Sequence, residues 1–488
     1  MRWGSRGAAS LVVACLLAGC VCSPEAPEEP PRRGRRAAEG HEPQLVLLIV
    51  MDTVRADHTS LCGYERPTTP TLEAIARSGA AHVCSAYAPA PWTLPSHATY
   101  FTGKPVTEHA TMFVANSDVS INATITARPL ADEHETLAET FLARGYQTVA
   151  ISANSIINEA SGLLQGFEHK DVSTDGKSLR ARGMGQALRA QLATLDPDRP
   201  LFLFVNLYDA HDPYPGIPPG LGWAPAQGKA RLDAYTKDPA NPYFAYIKDL
   251  MPEAEKPAFL ERLVNGYDYG VLHADANVSI VLSTLLKGGW MEGGYRVVVT
   301  SDHGELLGEH ELLRHSGFVW EPGVKVPLLF IDSARRGRVR LPDPISGLHV
   351  YHLLRDGHLP DTLIPPHCVS EKNPDDILVG TIAGAVWSPD GTTKAACVDG
   401  VRESWDLTAD PTEAHPQPAP ADGHLAQNLD KLCGDVEALH RLPVPKVDRT
   451  LTEALMRMGY TEDDDDADEA VPLPAAQGFD PGQGGRGR

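Results

Sequence analysis

Two acidic residues and a histidine stand directly after apolar runs of the sequence, where their side chains could bind one metal ion. Asp302 and His303 follow the run Arg296–Ser301, and Asp52 follows the run Leu45–Met51. A carboxylate and an imidazole that are adjacent at the end of a strand can reach the same cation. Each residue alone would also fit a helix cap or a turn, but together the three form a candidate metal site.

A threonine in a turn-rich segment adds a candidate oxygen ligand. Thr93 lies in the stretch APWTLPSHATYFTGK, which begins at residue 90. Its hydroxyl would give the site three oxygen ligands and one nitrogen ligand, a set that suits one divalent metal ion: Ca, Mg, Mn or Zn. The Thr93 side chain could instead only cap a helix.

The chain alternates apolar runs with helical segments, which predicts an α/β fold with a large, mostly parallel sheet flanked by helices. Continuous apolar, branched runs are typical of strands buried on both faces of such a sheet, and Thr136-Leu-Ala-Glu139 is a capping box that opens a helix. We predict strands at Leu45–Met51, Gln147–Ser152, Leu201–Leu207, Arg296–Ser301 and Val326–Ile331, and helices at Thr71–Ser78, from Thr136 to about Gly145, and over Gly266–Leu286.

Further polar side chains follow the predicted strands. In an open α/β sheet, the ligand crevice lies at the carboxyl ends of the strands, so residues far apart in sequence meet there. Asp209 with His211 could alternatively hold a second metal ion, and His211 could merely hold its own loop by hydrogen bonds. We expect one site to collect Asp52, Asn154, Asp209, His211, Asp302 and His303.

The first residues of the chain are typical of an export signal. Arg2 and Arg6 precede a short apolar run that ends in Leu17-Ala18-Gly19-Cys20, as in a secretory signal with its cleavage site. These four residues resemble the bacterial lipobox, in which lipid on Cys20 would anchor the protein to a membrane. We predict a lipoprotein signal peptide at 1–19, with a plain signal peptide as the alternative, and a location in the periplasm or at the cell surface.

Composition divides the rest of the chain into four parts. We predict a flexible tether rich in Pro, Glu and Arg at 20–43, a catalytic domain at 44–335, a smaller C-terminal α+β subdomain at 336–460, and an acidic, Gly-rich disordered tail at 461–488. A terminal helix is expected near Thr450–Met458. The formal net charge of −21 argues against a nucleic-acid partner, because binding to phosphates needs clustered Lys and Arg.

Cysteines add candidate crosslinks. The chain has eight, and an exported protein can pair some of them. Cys62 with Cys84 and Cys368 with Cys397 are the local candidates, although connectivity does not follow from sequence.

Five segments, in family order, resemble the sulfatase family of the alkaline phosphatase superfamily. They are LLIVMDTVRADHTSLCGYERPTTPTLEAIARSGA, TLPSHATYFTGK, LYDAHDPYPG, RVVVTSDHGELLGEH and SWDLTADPTEAH. The resemblance implies an alkaline-phosphatase/sulfatase-like fold, in which Thr93 holds the place of the nucleophile. Ser96 is the alternative nucleophile, three residues late in the family's register. A metal-bound hydroxyl at this place would have a lowered pKa and could attack an ester. The resemblance places His211 in the family's D-P-H-x-P-Y loop and His315 near a family Lys or His that contacts the ester. The implied metal ligands are Asp52, Thr93, Asp302 and His303.

The chain departs from the sulfatase pattern at linked positions. The family's second metal Asp is Thr53 here, its Asn is His303, and its motif Arg is His97. Ser152-Ala153-Asn154 stands where the family has Gly-Lys. Sulfatases oxidise Cys or Ser to formylglycine at the position of Thr93, where a threonine would give a ketone, so formylglycine is out of reach. Imidazole in place of an oxygen ligand favours Mn or Zn over an all-oxygen calcium site.

These departures resemble the superfamily's phosphodiesterases and lipoteichoic acid synthase-type phosphoglycerol transferases, which use an unmodified metal-bound Thr. We therefore predict an exported, lipid-anchored, metal-dependent hydrolase that cleaves phosphate mono- or diesters, of small molecules or of the envelope, through Thr93. Three alternatives stay open: a sulfatase, an envelope phospho-group transferase, and a catalytically degenerate binding lipoprotein. The candidate substrate-binding donors are Asn154, His211, His315 and His97.

Overall fold

The computed structural model describes residues 42–114, 126–172, 183–214, 216–217, 221–223, 241–315, 317–335, 337, 339–370, 383–398, 400–439, 441–443 and 449–457. The predicted signal peptide, Cys20 with the tether up to residue 41, and the predicted tail at 461–488 lie outside the described residues.

The described ranges hold the strands β1 Leu45–Met51, β2 Ala81–Tyr87, β3 Phe113–Val114, β4 Thr126–Ala127, β5 Gln147–Ser152, β6 His169–Val172, β7 Leu201–Leu207, β8 Tyr295–Thr300, β9 Leu306–Leu307, β10 Leu313–Arg314, β11 Lys325–Asp332, β12 Ile345–Ser346, β13 His367–Ser370, β14 Ala383–Trp387, β15 Thr393–Val398, β16 Val401–Asp406 and β17 Gln417–Pro418. They hold the helices α1 Pro70–Arg77, α2 Thr93–Thr102, α3 Val106–His109, α4 Leu137–Ala143, α5 Met184–Leu192, α6 Pro242–Ile247, α7 Lys256–Lys287, α8 Glu321–Val324, α9 His349–Arg355, α10 Gly423–Leu439 and α11 Arg449–Arg457. Short 3-10 turns occur at Ala56–His58, Ser60–Cys62, Glu159–Ser161 and Glu309–Glu311.

The central sheet has eight strands within the described residues, in the order β12-β2-β11-β8-β1-β7-β5-β6. β1 pairs in parallel with β7, where Leu45 is opposite Leu201, and with β8, where Leu45 is opposite Tyr295. Every residue of β1 is buried, as expected for a strand covered on both faces. The predicted fold class, a large and mostly parallel sheet flanked by helices, is confirmed.

One strand of this sheet runs against its neighbours. β11 pairs antiparallel with both β8 and β2, and the apolar run Val326–Ile331 predicts the strand but not its direction. The sequence pattern does not predict β2 (AHVCSAY), because Val83 is its only branched apolar residue. Both strands extend the sheet on the side of β8, away from β5 and β6.

The predicted helices are present, with α7 longer than expected. α4 begins with the predicted capping box of Thr136 and Glu139, and α7 starts at Lys256, well before the predicted Gly266. By length and composition, α7 could cross a membrane, with a mean hydropathy of 1.2 in its most apolar window. It nevertheless buries Asp268 and Asp275, which bind Arg66 and the start of α1. These contacts are those of a helix packed in a globular domain.

A second sheet follows in the described C-terminal part, where five antiparallel strands run in the order β13-β14-β15-β16-β17. α10 packs against β14 and β15, and α11 coincides with the predicted terminal helix. β12 at Ile345–Ser346, which lies beyond the predicted domain boundary, still pairs with β2 in the central sheet. The domain boundary between residues 335 and 336 stays a prediction.

Two disulfides crosslink the described residues. Cys62 and Cys84 form the first, which joins the loop after β1 to β2. The expected pair of Cys368 and Cys397 is wrong, because Cys397 in β15 is bonded to Cys433 in α10. β14 lies between β13, which carries Cys368, and β15. Strands two places apart are separated by about 9–10 Å, which is too far for a disulfide.

Candidate active site

Four adjacent parallel strands bring the candidate residues to one edge of the central sheet. Asp52 follows β1, Asn154 follows β5, and Asp302 and His303 follow β8. β8, β1, β7 and β5 are neighbours in the sheet, so their carboxyl ends meet at the same edge. Thr93 is contributed by a helix, as the first residue of α2. The structure thus brings together five of the residues predicted from sequence.

Asp52, Asp302 and His303 form a compact, fully buried cluster. One ligand atom from each lies within 4.8 Å of the others. His303 Nε2 is 3.5 Å from Asp302 Oδ2 and 3.9 Å from Asp52 Oδ1. In the part of the chain that the structure describes, no second group of three such ligands is found.

Each carboxylate of this cluster leaves one oxygen without a hydrogen bond to the described residues. These oxygens are Asp52 Oδ1 and Asp302 Oδ2, both buried. Burial raises the pKa of Asp302 to about 7, and burial together with the charge of Asp302 raises the pKa of Asp52. Two buried carboxylates side by side repel each other, so a bound cation would offset the free-energy cost that both carry.

His303 directs a lone pair to the same centre. Its Nδ1 lies 2.9 Å from the carbonyl oxygen of Gly304, and because a carbonyl only accepts, Nδ1 carries the proton. Burial lowers the pKa of His303 to about 4, so at pH 7 the ring is neutral and Nε2 is unprotonated. A neutral imidazole whose other nitrogen is fixed by a carbonyl is the usual form of a metal-bound histidine. The donor set fits one divalent cation.

Thr93 places its hydroxyl beside this cluster. Oγ1 lies 3.4 Å from His303 Nε2 and accepts an N–H of Asn154 over 3.1 Å. Because Nε2 is unprotonated, the Thr93 hydroxyl donates in the first contact. The N-cap of α2 is Trp92, so the Thr93 side chain does not serve as a helix cap.

Two carboxamides hold the other oxygen of Asp52. Asn154 Nδ2 donates to Asp52 Oδ2 over 2.9 Å, and Asn206 Nδ2 donates to the same atom over 3.0 Å. The backbone N–H of Ile156 donates to Asn154 Oδ1, which fixes the orientation of that amide. Both N–H groups of Asn154 are therefore used within the protein, by Asp52 and Thr93.

His315 lies next to His303, and His211 lies next to His315. The ring centroids of His303 and His315 are 4.4 Å apart, and those of His315 and His211 are 5.0 Å apart. Tyr208 stacks on His211 at 4.3 Å. The structure brings both predicted donors to the metal cluster, and their contact with a substrate stays a prediction.

His97 lies one helical turn after Thr93 along α2, and its Nδ1 is 3.6 Å from Asp302 Oδ2. Its Nδ1 donates to the carbonyl oxygen of Thr93 over 2.9 Å, and its ring packs edge-on against Phe204 at 5.5 Å. Burial lowers the pKa of His97 to about 4. In this position His97 supports the start of α2, and its predicted substrate contact remains untested.

Asp209 is directed toward α7. Its Oδ1 lies 2.8 Å from Nδ1 of His273, and its Oδ2 accepts an N–H of Asn277 over 3.0 Å. Asp209 is not a member of the metal cluster, so the alternative of a second metal ion held with His211 gains no support.

Sequence reasoning missed Asn206 and Glu305. Asn206 is a single polar residue inside the apolar strand β7, and this contrast in the sequence could have marked it as a candidate site residue. Glu305 Oε1 lies 3.1 Å from Nδ1 of His315, and burial raises the pKa of Glu305 well above its usual value. Glu305 could have been singled out by its position in the run Asp302–Glu305. Its contact with His315, however, depends on the conformation of a loop, which the sequence does not predict.

A sequence profile of the Sulfatase family matches residues 44–350, well over half of the chain. The chain belongs to the sulfatase family. As the motifs suggested, this is a sulfatase-family protein of the alkaline phosphatase superfamily, and family members use a divalent metal ion. No curated protein matches the chain.

Solved structures of the superfamily share the fold of this sulfatase-family chain. Phosphonate monoester hydrolase of Agrobacterium radiobacter aligns with a TM-score of 0.58 and 18% identity, over 82% of this chain and 96% of that one. A protein solved with its substrate D-glucosamine-2-N,6-O-disulfate aligns with a TM-score of 0.57 and 17% identity, over 81% and 99%. A 2-O GAG sulfatase aligns with a TM-score of 0.54 and 14% identity, over 86% and 93%. At these identities the likeness shows the fold alone.

Proposed function

We propose that this protein is an exported, lipid-anchored hydrolase that cleaves phosphate mono- or diesters through Thr93. The observation that carries the proposal is the position of Thr93 Oγ1, 3.4 Å from His303 Nε2 at the edge of the Asp52, Asp302 and His303 cluster. A threonine cannot become formylglycine, so the hydroxyl itself is the nucleophile that this site offers.

Asp52, Thr93, Asp302 and His303 would hold one divalent cation, and the imidazole favours Mn or Zn over Ca. When bound, the cation would lower the pKa of the Thr93 hydroxyl and stabilise negative charge on the non-bridging oxygens of the ester. Asn154, which donates to Thr93 Oγ1 over 3.1 Å, would stabilise the same oxygen as it becomes more negative.

The proposed reaction has two displacements at phosphorus. Thr93 Oγ1 gives up its proton and forms a bond to phosphorus while the bond from phosphorus to the ester oxygen breaks, and the leaving alcohol takes up a proton. Water then gives up a proton and attacks the phosphorus of phospho-Thr93, the bond to Oγ1 breaks, Oγ1 takes up a proton, and the phosphate product leaves. His211 and His315 are the proposed hydrogen-bond donors to the ester oxygens, which the position of His315 beside His303 and of His211 beside His315 supports.

The preference for phosphate over sulfate rests on Thr93. Proteins of the same fold include a phosphonate monoester hydrolase and a protein with a disulfated glucosamine substrate, so the fold alone selects neither ester. Sulfatases of the family act through formylglycine made from Cys or Ser, and neither stands at position 93. The substrate would be a small-molecule or envelope ester.

The proposed location rests on the sequence around Cys20. Lipid on Cys20 would hold the enzyme on a membrane of the bacterial envelope, in the periplasm or at the cell surface. In cells fed a clickable fatty acid, the wild-type protein should be labelled and Cys20→Ala should not. Equal labelling of both would contradict the anchor.

The experiment that tests the function compares wild type with Thr93→Ala on p-nitrophenyl phosphate, bis-p-nitrophenyl phosphate and p-nitrophenyl sulfate, after metal analysis of the purified protein. We expect turnover of phosphate esters by the wild type and a loss of about a thousandfold or more in Thr93→Ala. Undiminished phosphate hydrolysis by Thr93→Ala would overturn the assignment of the nucleophile. Turnover of the sulfate ester would favour a sulfatase. Transfer of the phospho-group to added alcohols or glycans would favour a transferase. A protein with neither bound metal nor turnover would favour a binding lipoprotein.

A further inference from the structure

Thr53, the residue after Asp52, has a backbone conformation that threonine rarely takes. Its φ is +62°, in the left-handed region, where Cβ crowds the backbone and where β-branched residues are outliers. Strain of this kind persists only when surrounding contacts hold it, and it clusters at functional sites. The contacts of Thr53 show both what its conformation does and what holds it.

The conformation directs the Thr53 peptide at a metal ligand. The backbone N–H of Thr53 donates to Asp302 Oδ1 over 3.3 Å, and the backbone N–H of His303 donates to the same oxygen over 3.1 Å. These two bonds occupy Oδ1, and they leave Oδ2 as the oxygen nearer to His303 Nε2, at 3.5 Å. The strained peptide therefore helps to orient the Asp302 carboxylate.

The hydroxyl of Tyr267, in α7, holds the same loop. It donates to the carbonyl oxygen of Thr53 over 2.7 Å and accepts the backbone N–H of Arg55 over 2.8 Å. One hydroxyl thus forms hydrogen bonds with the peptide groups on both sides of Val54. The Tyr267 ring is fully buried and contacts the rings of His58 and Tyr214, so its hydroxyl is a fixed point.

We propose that Tyr267 is a positioning residue for the metal centre, because its hydroxyl holds Thr53 in the strained conformation that orients Asp302. The inference rests on the metal site of the proposed function. Hydrogen-bond partners that act through a metal ligand typically contribute about 10- to 100-fold to metal affinity.

The test measures Mn²⁺ binding by calorimetry on the metal-free, full-length protein. Tyr267→Phe keeps the ring and removes the hydroxyl, and we expect its dissociation constant for Mn²⁺ to rise by about tenfold or more. Adding Thr53→Gly should restore most of the affinity, because glycine takes a φ of +62° without strain. Thr53→Ala is the matched control, since it removes the same hydroxyl but keeps Cβ, and it should not restore binding.

Two results would overturn the inference and leave the proposed function intact. One is binding of Mn²⁺ by Tyr267→Phe within about twofold of the wild type, and the other is equal rescue by Thr53→Ala and Thr53→Gly. A wild-type protein that binds neither Mn²⁺ nor Zn²⁺ would instead remove the proposed function together with the inference.

If Tyr267→Phe does not fold, the single variants at position 53 decide. Metal-free Thr53→Gly should unfold at a higher urea concentration than Thr53→Ala, because alanine at a positive φ is strained. At ordinary positions alanine is the more stable of the two. A more stable Thr53→Ala would show that the loop carries no strain and would overturn the inference.

Discussion

Nδ2 of Asn206 donates a hydrogen bond to Oδ2 of Asp52 over 3.0 Å. Asn206 lies inside the apolar strand β7 and is fully buried, and its Oδ1 accepts the hydroxyl of Ser152. A buried amide costs free energy unless it is hydrogen-bonded. Its bond to Asp52 fixes one oxygen of the carboxylate and leaves Oδ1 for the metal centre.

Replacing Asn206 by leucine should weaken metal binding by about 10- to 100-fold, because Asp52 Oδ2 would keep only the bond from Asn154. Calorimetric titration of the metal-free variant with Mn²⁺ measures the change. Asn277→Leu is the matched control, since Asn277 also bonds an aspartate, Asp209, but outside the cluster. Equal affinities of both variants and the wild type would contradict the role of Asn206.

Removal of the metal ion should destabilise the wild-type protein more than the variant Asp302→Asn. Metal binding to the folded state adds about 2.7 kcal/mol when the free metal is at a hundred times its dissociation constant. Asn at position 302 removes the charge that raises the pKa of Asp52, so we expect the metal-free variant to be more stable than the metal-free wild type. Thermal unfolding with Mn²⁺ and with EDTA checks this, and an equal response of the two proteins would refute it.

Stability should fall with rising pH through the titration of Asp275. Its carboxylate accepts the backbone N–H groups of Thr71 at 2.8 Å and Leu72 at 3.0 Å, and burial raises its pKa to about 6. The folded protein therefore holds this proton more tightly than the unfolded chain. The resulting stability is fully present below about pH 4 and is lost as the pH rises through about 6, with a slope of at most about 1.4 kcal/mol per pH unit.

Asp275→Asn should remove this slope. Urea unfolding at several pH values across that window compares the variant with the wild type and with Asp132→Asn, a change at an exposed aspartate. The pH dependence should flatten only in Asp275→Asn. An unchanged slope in that variant would mean that other groups cause the dependence.

A buried ion pair joins the small sheet to the chain segment before β11. Lys394 and Glu413 are buried and paired, Lys394 also donates to the carbonyl of Val319, and Glu413 accepts the backbone N–H of Glu321. The ammonium lies 5.3–5.7 Å from the ring centroids of Trp320, Trp387 and Trp405.

Lys394→Met should lower the free energy of unfolding by about 3–5 kcal/mol, because it leaves the Glu413 charge buried and unpaired. The double variant Lys394→Met, Glu413→Gln should lose less than the sum of the two single changes. A double-mutant cycle from urea unfolding measures this coupling, and additive losses would show that the pair does not act as a unit.

The strands that position the site could be predicted because their side chains carry the signal locally. Leu45–Met51 is a continuous apolar run and Leu201–Leu207 is apolar apart from Asn206, and each becomes a buried strand of the central sheet. The polar residues after these strands then follow from the rule that ligands bind at carboxyl strand ends. Asp52, Asp302 and His303 could be anticipated in this way, whereas Thr93 was indicated by the motif TLPSHATYFTGK.

The remaining features depend on contacts between distant segments. Asn206 meets Asp52 only because β7 pairs with β1, and Tyr267 reaches Thr53 only because α7 packs beside the loop after β1. Cys397 finds Cys433 because α10 lies on the small sheet. No local pattern of residues encodes such packing, so sequence alone did not identify these pairs.

The pairing of β1 with β8 has a consequence for how the protein matures. Asp52 is made long before Asp302, and the two carboxylates meet only after β8 has inserted beside β1. Contacts of such long sequence separation form late and slowly. A nascent or clipped chain that ends before β8 carries Asp52 and Thr93 but lacks half of the candidate ligand set. On the proposed function, a chain that has not yet added β8 would therefore be inactive, because the topology alone keeps the site incomplete.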